Sequence, residues 1–138
     1  MDHYHLSKQE QEELIGKIAS FLTQQQQIVF AFLFGSFLTE KVFRDIDIGI
    51  FVKQLSPAEY ANAEIGLACQ LAKELNFCYP LEVKIINKAP LAFAFQVIRG
   101  NLLFSRDEDL LTDYMEAIAH RYLDQAPWRD RYIAEAMA

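Results

Sequence analysis

A chain of 138 residues, 52% hydrophobic and 23% charged, is long enough for one domain with a real core, and its composition is far from that of disordered segments. A net charge of −6 removes long-range attraction to phosphate polymers, which excludes DNA or RNA as the main partner but leaves a single nucleotide open. Apolar runs such as Ile28 to Phe34 are too short to span a bilayer, and the N-terminal Met1-Asp2-His3-Tyr4-His5 has no basic region leading into an apolar run; the expectation is a soluble cytoplasmic domain over 1–138, with no membrane partner.

Ser7-Lys8-Gln9-Glu10 has capping-box spacing, and Leu14, Ile15, Ile18, Phe21 and Leu22 follow at helical intervals, which predicts a first helix from about Ser7 to Thr23. Gln24 to Gln27 is a short low-complexity run read as a helix end or turn. Ile28 to Phe34 carries no polar side chain and predicts a central strand buried on both faces, ending at Gly35-Ser36. Ile46 to Val52 alternates, with Ile46, Ile48, Ile50 and Val52 on one face and Asp45, Asp47 and Gly49 on the other. Ser56-Pro57 opens a second helix, whose predicted apolar face is Ile65, Ala68, Leu71, Ala72 and Leu75 and whose end falls near Asn76. A third strand over about Leu81 to Ile86 follows, then a helix from Pro90 to the turn at Gly100-Asn101. A short edge strand, Leu102 to Phe104, leads into a helix from about Asp107 to Leu123, and Pro127 opens a last helical segment with Trp128, Tyr132, Ile133 and Met137, suited to the core or to an interface. The fold class is α/β, a small mixed sheet packed by helices with helices at the C-terminus. Cys69 and Cys78 are read as free, buried thiols.

Asp45 and Asp47 lie two apart on one strand, so their carboxylates leave the same face about 7 Å apart. Two carboxylates on so apolar a strand repel each other, and a divalent cation relieves them; hard oxygen ligands favour Mg²⁺. Glu82, on the third strand, supplies a third acid if that strand runs beside the first pair, and three carboxylates around two cations suit in-line displacement at phosphorus. Gly35-Ser36 ends a buried strand where a helical turn begins, so backbone can approach a phosphate and the serine hydroxyl can bond it. Lys41 and Arg44, between this turn and the acids, are candidates for neutralising phosphate charge. Each feature has a plainer reading: an ordinary turn, a solvated strand end, and a surface ion pair between Glu82 and Lys84.

Phe34-Gly35-Ser36, eight residues, then Asp45-Ile46-Asp47-Ile48 resembles the signature of the DNA polymerase beta-like nucleotidyltransferase superfamily. The likeness is nearest to the small MNT-type proteins, whose genes commonly sit beside a HEPN-domain toxin. It continues through Leu81-Glu82-Val83-Lys84-Ile85-Ile86-Asn87, Ala89-Pro90, Gly100-Asn101-Leu102-Leu103-Phe104 and Tyr122-Leu123-Asp124. The resemblance implies a nucleotidyltransferase fold and transfer of AMP from ATP to a hydroxyl; in MNT-HEPN pairs the acceptor is a tyrosine of the toxin, which is thereby silenced. By position it implies triphosphate binding at Gly35 and Ser36, magnesium at Asp45 and Asp47, and Glu82 as third acid and base. Three departures stand out: a shorter interval from Ser36 to Asp45, Phe37-Leu38 where an arginine and a small residue are frequent, and Glu82 in place of an aspartate. They keep open an antitoxin that acts by occlusion; a transferase for a small hydroxylated molecule such as an aminoglycoside is a further alternative. The short chain, with no second domain expected to hold an acceptor, favours a protein acceptor.

Overall fold

The computed structural model describes residues 4–39 and 42–137, of which 39, 42 and 126–137 are described through their backbone alone. Ser7 Oγ accepts from Glu10 N at 3.1 Å and Glu10 Oε1 accepts from Ser7 N at 3.0 Å, so the capping box starts helix α1, Lys8–Thr23. A two-residue strand β1, Tyr4–His5, precedes it. Strand β2, Ile28–Phe34, is followed by the short helix α2, Ser36–Thr39, and strands β3, Val42–Phe43, and β4, Ile46–Val52. A 3₁₀ turn at Pro57–Glu59 leads into α3, Tyr60–Glu74, and then come β5, Leu81–Ile85, α4, Leu91–Ile98, β6, Asn101–Ser105, and α5, Glu108–Met137.

The main sheet has the order β5-β4-β2-β6. β2 pairs antiparallel with both β4 and β6, whereas β5 runs parallel to β4, so the sheet is mixed as expected. One wall is packed by α1 and α3 through Leu14, Ile18, Leu22, Leu71 and Leu75 against Ile46, Ile48 and Ile50. The other is packed by α4 and α5 through Ala94, Val97, Leu111 and Ile118 against Phe30, Phe32 and Phe34. A register shift between Ile28 and Phe30 explains how β2 serves both walls. Regular alternation would put Ile28 with Phe30 and Phe32, but the extra residue reverses the parity and sends Ile28 to the wall of α1 and α3.

Three sequence expectations need correction, and one element escaped the sequence pattern. Tyr4 pairs with Phe43 and His5 with Val42 in a second, two-stranded sheet that two residues of pattern cannot announce. Ile65 points to solvent, 63% exposed, because α3 meets the sheet through Leu71, Leu75, Leu67 and Ala68, a face rotated away from it. Both thiols are free, but they are exposed: Cys69 lies on the outward side of α3 and Cys78 follows its end. Pro127 begins no new helix, since α5 runs unbroken from Glu108 to Met137; a proline removes one donor from a helix and need not end it. The side chains of Trp128, Tyr132, Ile133 and Met137 lie outside the described residues. No described helix is long and apolar enough to cross a membrane.

α1 has no basic residue in its last turn, and the chain supplies one from elsewhere. Arg106, just past β6, donates from Nε to Ile28 O at 2.8 Å, and from its guanidinium to Gln25 O at 3.2 Å and to Thr23 O, while lying over the Phe104 ring. These bonds fasten the carbonyls at the end of α1 to the edge of the sheet. Arg106→Ala is expected to lower stability by about 2 kcal/mol, read as a fall in the denaturation midpoint in urea with an unchanged slope.

Candidate functional site

Two strand ends and one helix form the site. β4 carries Asp45 just before its first residue and Asp47 as its second, and the parallel register sets Asp47 opposite Glu82 on β5. Adjacent positions in register share a face, so β5 brings the third acid beside the pair. Asp45, Asp47 and Glu82 line one cavity of about 240 Å³, together with Phe34, Lys84, Phe93 and Gln96.

The electrostatics follow from this crowding. Loss of solvent contact, with repulsion from Asp45 and then Glu82, pushes the Asp47 carboxyl up from 3.8 to about 6. Lys84 Nζ stands 3.5 Å from Glu82 Oε1, with both side chains about half exposed, so the plainer reading of that pair as a surface ion pair also holds. Among the described residues no three His, Cys, Asp or Glu side chains converge as a ready-made metal cluster. The acids share a cavity without meeting at a point.

Gly35 joins this cavity to a second one. Its φ of +86° lies in the left-handed region, and a Cβ there would collide with Asp47 Oδ2 and stand 3.3 Å from Asp47 Cγ. The turn after β2 and the acid pair of β4 are thus in direct contact across the Phe34↔Asp47 pair. Beside them a cavity of about 430 Å³ is lined by Phe34, Gly35, Ser36, Leu38, Gln96, Arg99 and Gly100. Phe34 and Gln96 line both cavities, so the two adjoin. Ser36 Oγ is buried and, among the described residues, is the one buried side-chain polar atom with no hydrogen-bond partner. A buried hydroxyl left without a partner is costly and calls for a polar ligand or water.

Of the residues singled out by sequence, Gly35, Ser36, Asp45, Asp47 and Glu82 are gathered here. Arg44 is exposed between β3 and β4 and lines neither cavity, and Lys41 lies outside the described residues. The basic residue facing Ser36 is instead Arg99, at the end of α4 and 64 positions beyond Gly35 in the chain. Sequence reading missed it and Gln96. The available signal was their spacing of three on an otherwise apolar helix, which puts them on one face.

The sequence profile of the family described as Polymerase beta, Nucleotidyltransferase matches residues 16–109, more than half of the chain. The chain belongs to this nucleotidyltransferase family. The matched span holds both cavities, from the turn at Gly35 to the end of α4. Among solved structures, the fold is similar to a chain of the tri-AMPylated Shewanella oneidensis HEPN toxin in complex with MNT antitoxin. That likeness has 21% identity and a TM-score of 0.65, covering 93% of this chain and 99% of that one. A chain of the MntA-HepT toxin-antitoxin structure gives 20% identity and a TM-score of 0.64, covering 92% and 99%. One from a toxin-antitoxin structure with AMP-PNP gives 22% and 0.66, covering 90% and 98%. At these identities the likeness establishes the nucleotidyltransferase fold expected from sequence. No curated protein matches the sequence.

Proposed function

We propose that this chain, acting as a single cytoplasmic domain, transfers AMP from ATP to a tyrosine hydroxyl of a HEPN-domain toxin and so serves as its antitoxin. The observation that carries the reading is the contact between Gly35 and the Asp47 carboxylate, which sets a left-handed glycine turn and a set of acids at the junction of two cavities, an arrangement that suits a phosphate beside a cation. Family membership and the company of the similar folds, a HEPN toxin bearing AMP and an ATP analogue, support it.

The donor set suits magnesium: three carboxylates line one cavity, burial and then repulsion from Asp45 and Glu82 hold a proton more tightly on Asp47, and the Lys84 ammonium already stands 3.5 Å from Glu82. Asp45, Asp47 and Glu82 would hold it. When bound, magnesium neutralises charge on the phosphates and polarises the α-phosphorus of ATP. The Ser36 hydroxyl donates to a phosphate oxygen, which gives its buried oxygen the partner it lacks, and Gly35 lets the phosphates lie against the backbone. The acceptor hydroxyl forms its new bond to the α-phosphorus, the bond from that phosphorus to the β-phosphate oxygen breaks, and pyrophosphate leaves. A carboxylate oxygen of Glu82 takes the proton released by the acceptor.

Labelled ATP, magnesium and the HEPN partner are the test, with an Asp45→Ala/Asp47→Ala variant beside the wild type. Label on the partner that disappears with the variant is the expected result. A stable complex without label from the wild type would leave an antitoxin that acts by occlusion, the reading favoured by the hold of Lys84 on Glu82.

That ion pair yields a further expected outcome. A pair this exposed contributes under about 1 kcal/mol, so Lys84→Met should leave stability nearly unchanged. It also removes the competing cation from Glu82, and magnesium affinity, followed by calorimetry, should tighten by roughly threefold.

A further inference from the structure

The acids and the Gly35-Ser36 turn leave one charge unaccounted for. A nucleoside triphosphate brings several negative charges to a protein of net charge −6, and magnesium held by the acids would offset only part of them. The cavity beyond Ser36 holds one described cation, Arg99. No described carboxylate forms a salt bridge with it. Its guanidinium lies 5.7 Å from the centre of the Phe95 ring, and Phe95 is stacked on Tyr122 of α5 with ring centres 3.8 Å apart and planes within 7°. Cation and two rings make a column that fixes a long side chain beside the cavity without using its donors on another protein group.

Backbone packing brings the column to the site. A Cβ on Gly100 would strike Leu33 O and come within 3.0 Å of Phe34 Cβ, so the turn after α4 sits directly on the end of β2. Arg99 is therefore delivered to the mouth of the Gly35 turn by a close backbone approach. Gln96, one turn back, lines both cavities.

From this we infer that Arg99 binds the pyrophosphate half of the nucleoside triphosphate, with Tyr122 as a positioning residue acting through Phe95. The inference rests on the transferase reading above and adds a cation, held by the two rings, for the far end of the triphosphate. Its α-phosphorus sits over Asp45, Asp47 and Glu82, and its β- and γ-phosphates extend past Ser36 into the cavity of Arg99.

The test is calorimetric binding of inorganic pyrophosphate, tripolyphosphate and AMP, each with magnesium, to wild type, Arg99→Gln and Arg99→Lys. Loss of a charge-assisted contact predicts roughly ten- to hundredfold weaker pyrophosphate and tripolyphosphate binding in Arg99→Gln. AMP affinity should stay within about twofold of wild type, and Arg99→Lys, which keeps the charge and loses the planar fork, should recover part of the loss. Tyr122→Leu should weaken pyrophosphate by roughly threefold while Tyr122→Phe, which keeps the ring, should not. Equal pyrophosphate affinity in wild type and Arg99→Gln, an equal loss for AMP, or no binding of either polyphosphate by the wild type would each overturn the inference. AMP transfer by the wild type, assayed separately, keeps the two readings apart: transfer with an unchanged KM for ATP in Arg99→Gln sinks the subsite alone. Absence of transfer together with Arg99-dependent pyrophosphate binding sinks the transferase and leaves the subsite.

Discussion

Asp47→Asn is expected to abolish AMP transfer while making the metal-free protein more stable. In the folded chain the Asp47 carboxyl is pushed up from 3.8 to about 6, first by burial and then by Asp45 and Glu82. Between these values the folded chain holds a proton that the unfolded chain has released, so stability falls as pH rises through that window, and at neutral pH the charged carboxylate imposes its whole penalty. A shift of this size corresponds to about 3 kcal/mol for a fully buried group. Asp47 is half-buried, and solvent screening reduces the figure to about 1 kcal/mol. Asparagine keeps the shape without the charge. The variant should therefore melt a few degrees above wild type in chelator at pH 7.5, and the difference should vanish below pH 4. Magnesium should raise the melting temperature of wild type and not of the variant, and transfer should fall on the order of a thousandfold. A variant that melts lower than wild type in chelator at neutral pH would refute the electrostatic account.

Gly35→Ala should damage stability and activity together, for two separable reasons. A φ of +86° is strained for any residue with a Cβ, at a cost of about 1–2 kcal/mol. The new methyl also collides with Asp47 Oδ2, and a displacement of about 1 Å at a reacting group lowers rate by roughly a hundredfold. The two costs can be told apart by a double-mutant cycle with Asp47→Ala, which removes the obstructing carboxylate. Stability lost to the collision returns in the double variant, and stability lost to backbone strain does not. If the two substitutions add with no interaction, the turn and the acid are not in the contact described.

Sequence revealed the parts of this molecule where pattern and burial agree. β4 shows its alternation because one wall takes Ile46, Ile48, Ile50 and Val52 while the other faces the site, and β2 reads as buried because both of its faces are. The site was legible where its residues are close in sequence or on neighbouring strands, as with Gly35, Asp45, Asp47 and Glu82. It was illegible where a helix returns to the site. Arg44 drew notice by lying between two motifs, yet Arg99 reaches the cavity because Gly100 lets α4 end against β2, a contact between distant parts of the chain. The parity change in β2, the two-residue strands β1 and β3, and the outward turn of Ile65 escaped for the same reason, each being decided by a partner element. Pro127 misled by a strong local rule that a longer helix absorbs.

Strand β5 lies at the border of the sheet, where open backbone donors invite a strand from another molecule. Glu64 on α3 reaches across and accepts the outward Ile85 N at 2.8 Å, closing the main chain at that point. Glu82 and Lys84 put charge along the same border. A carboxylate that lines the acid cavity also makes this edge a poor template for self-association, so under the proposed function solubility and catalysis place overlapping demands on Glu82, and a substitution chosen to tune one is expected to be felt by the other.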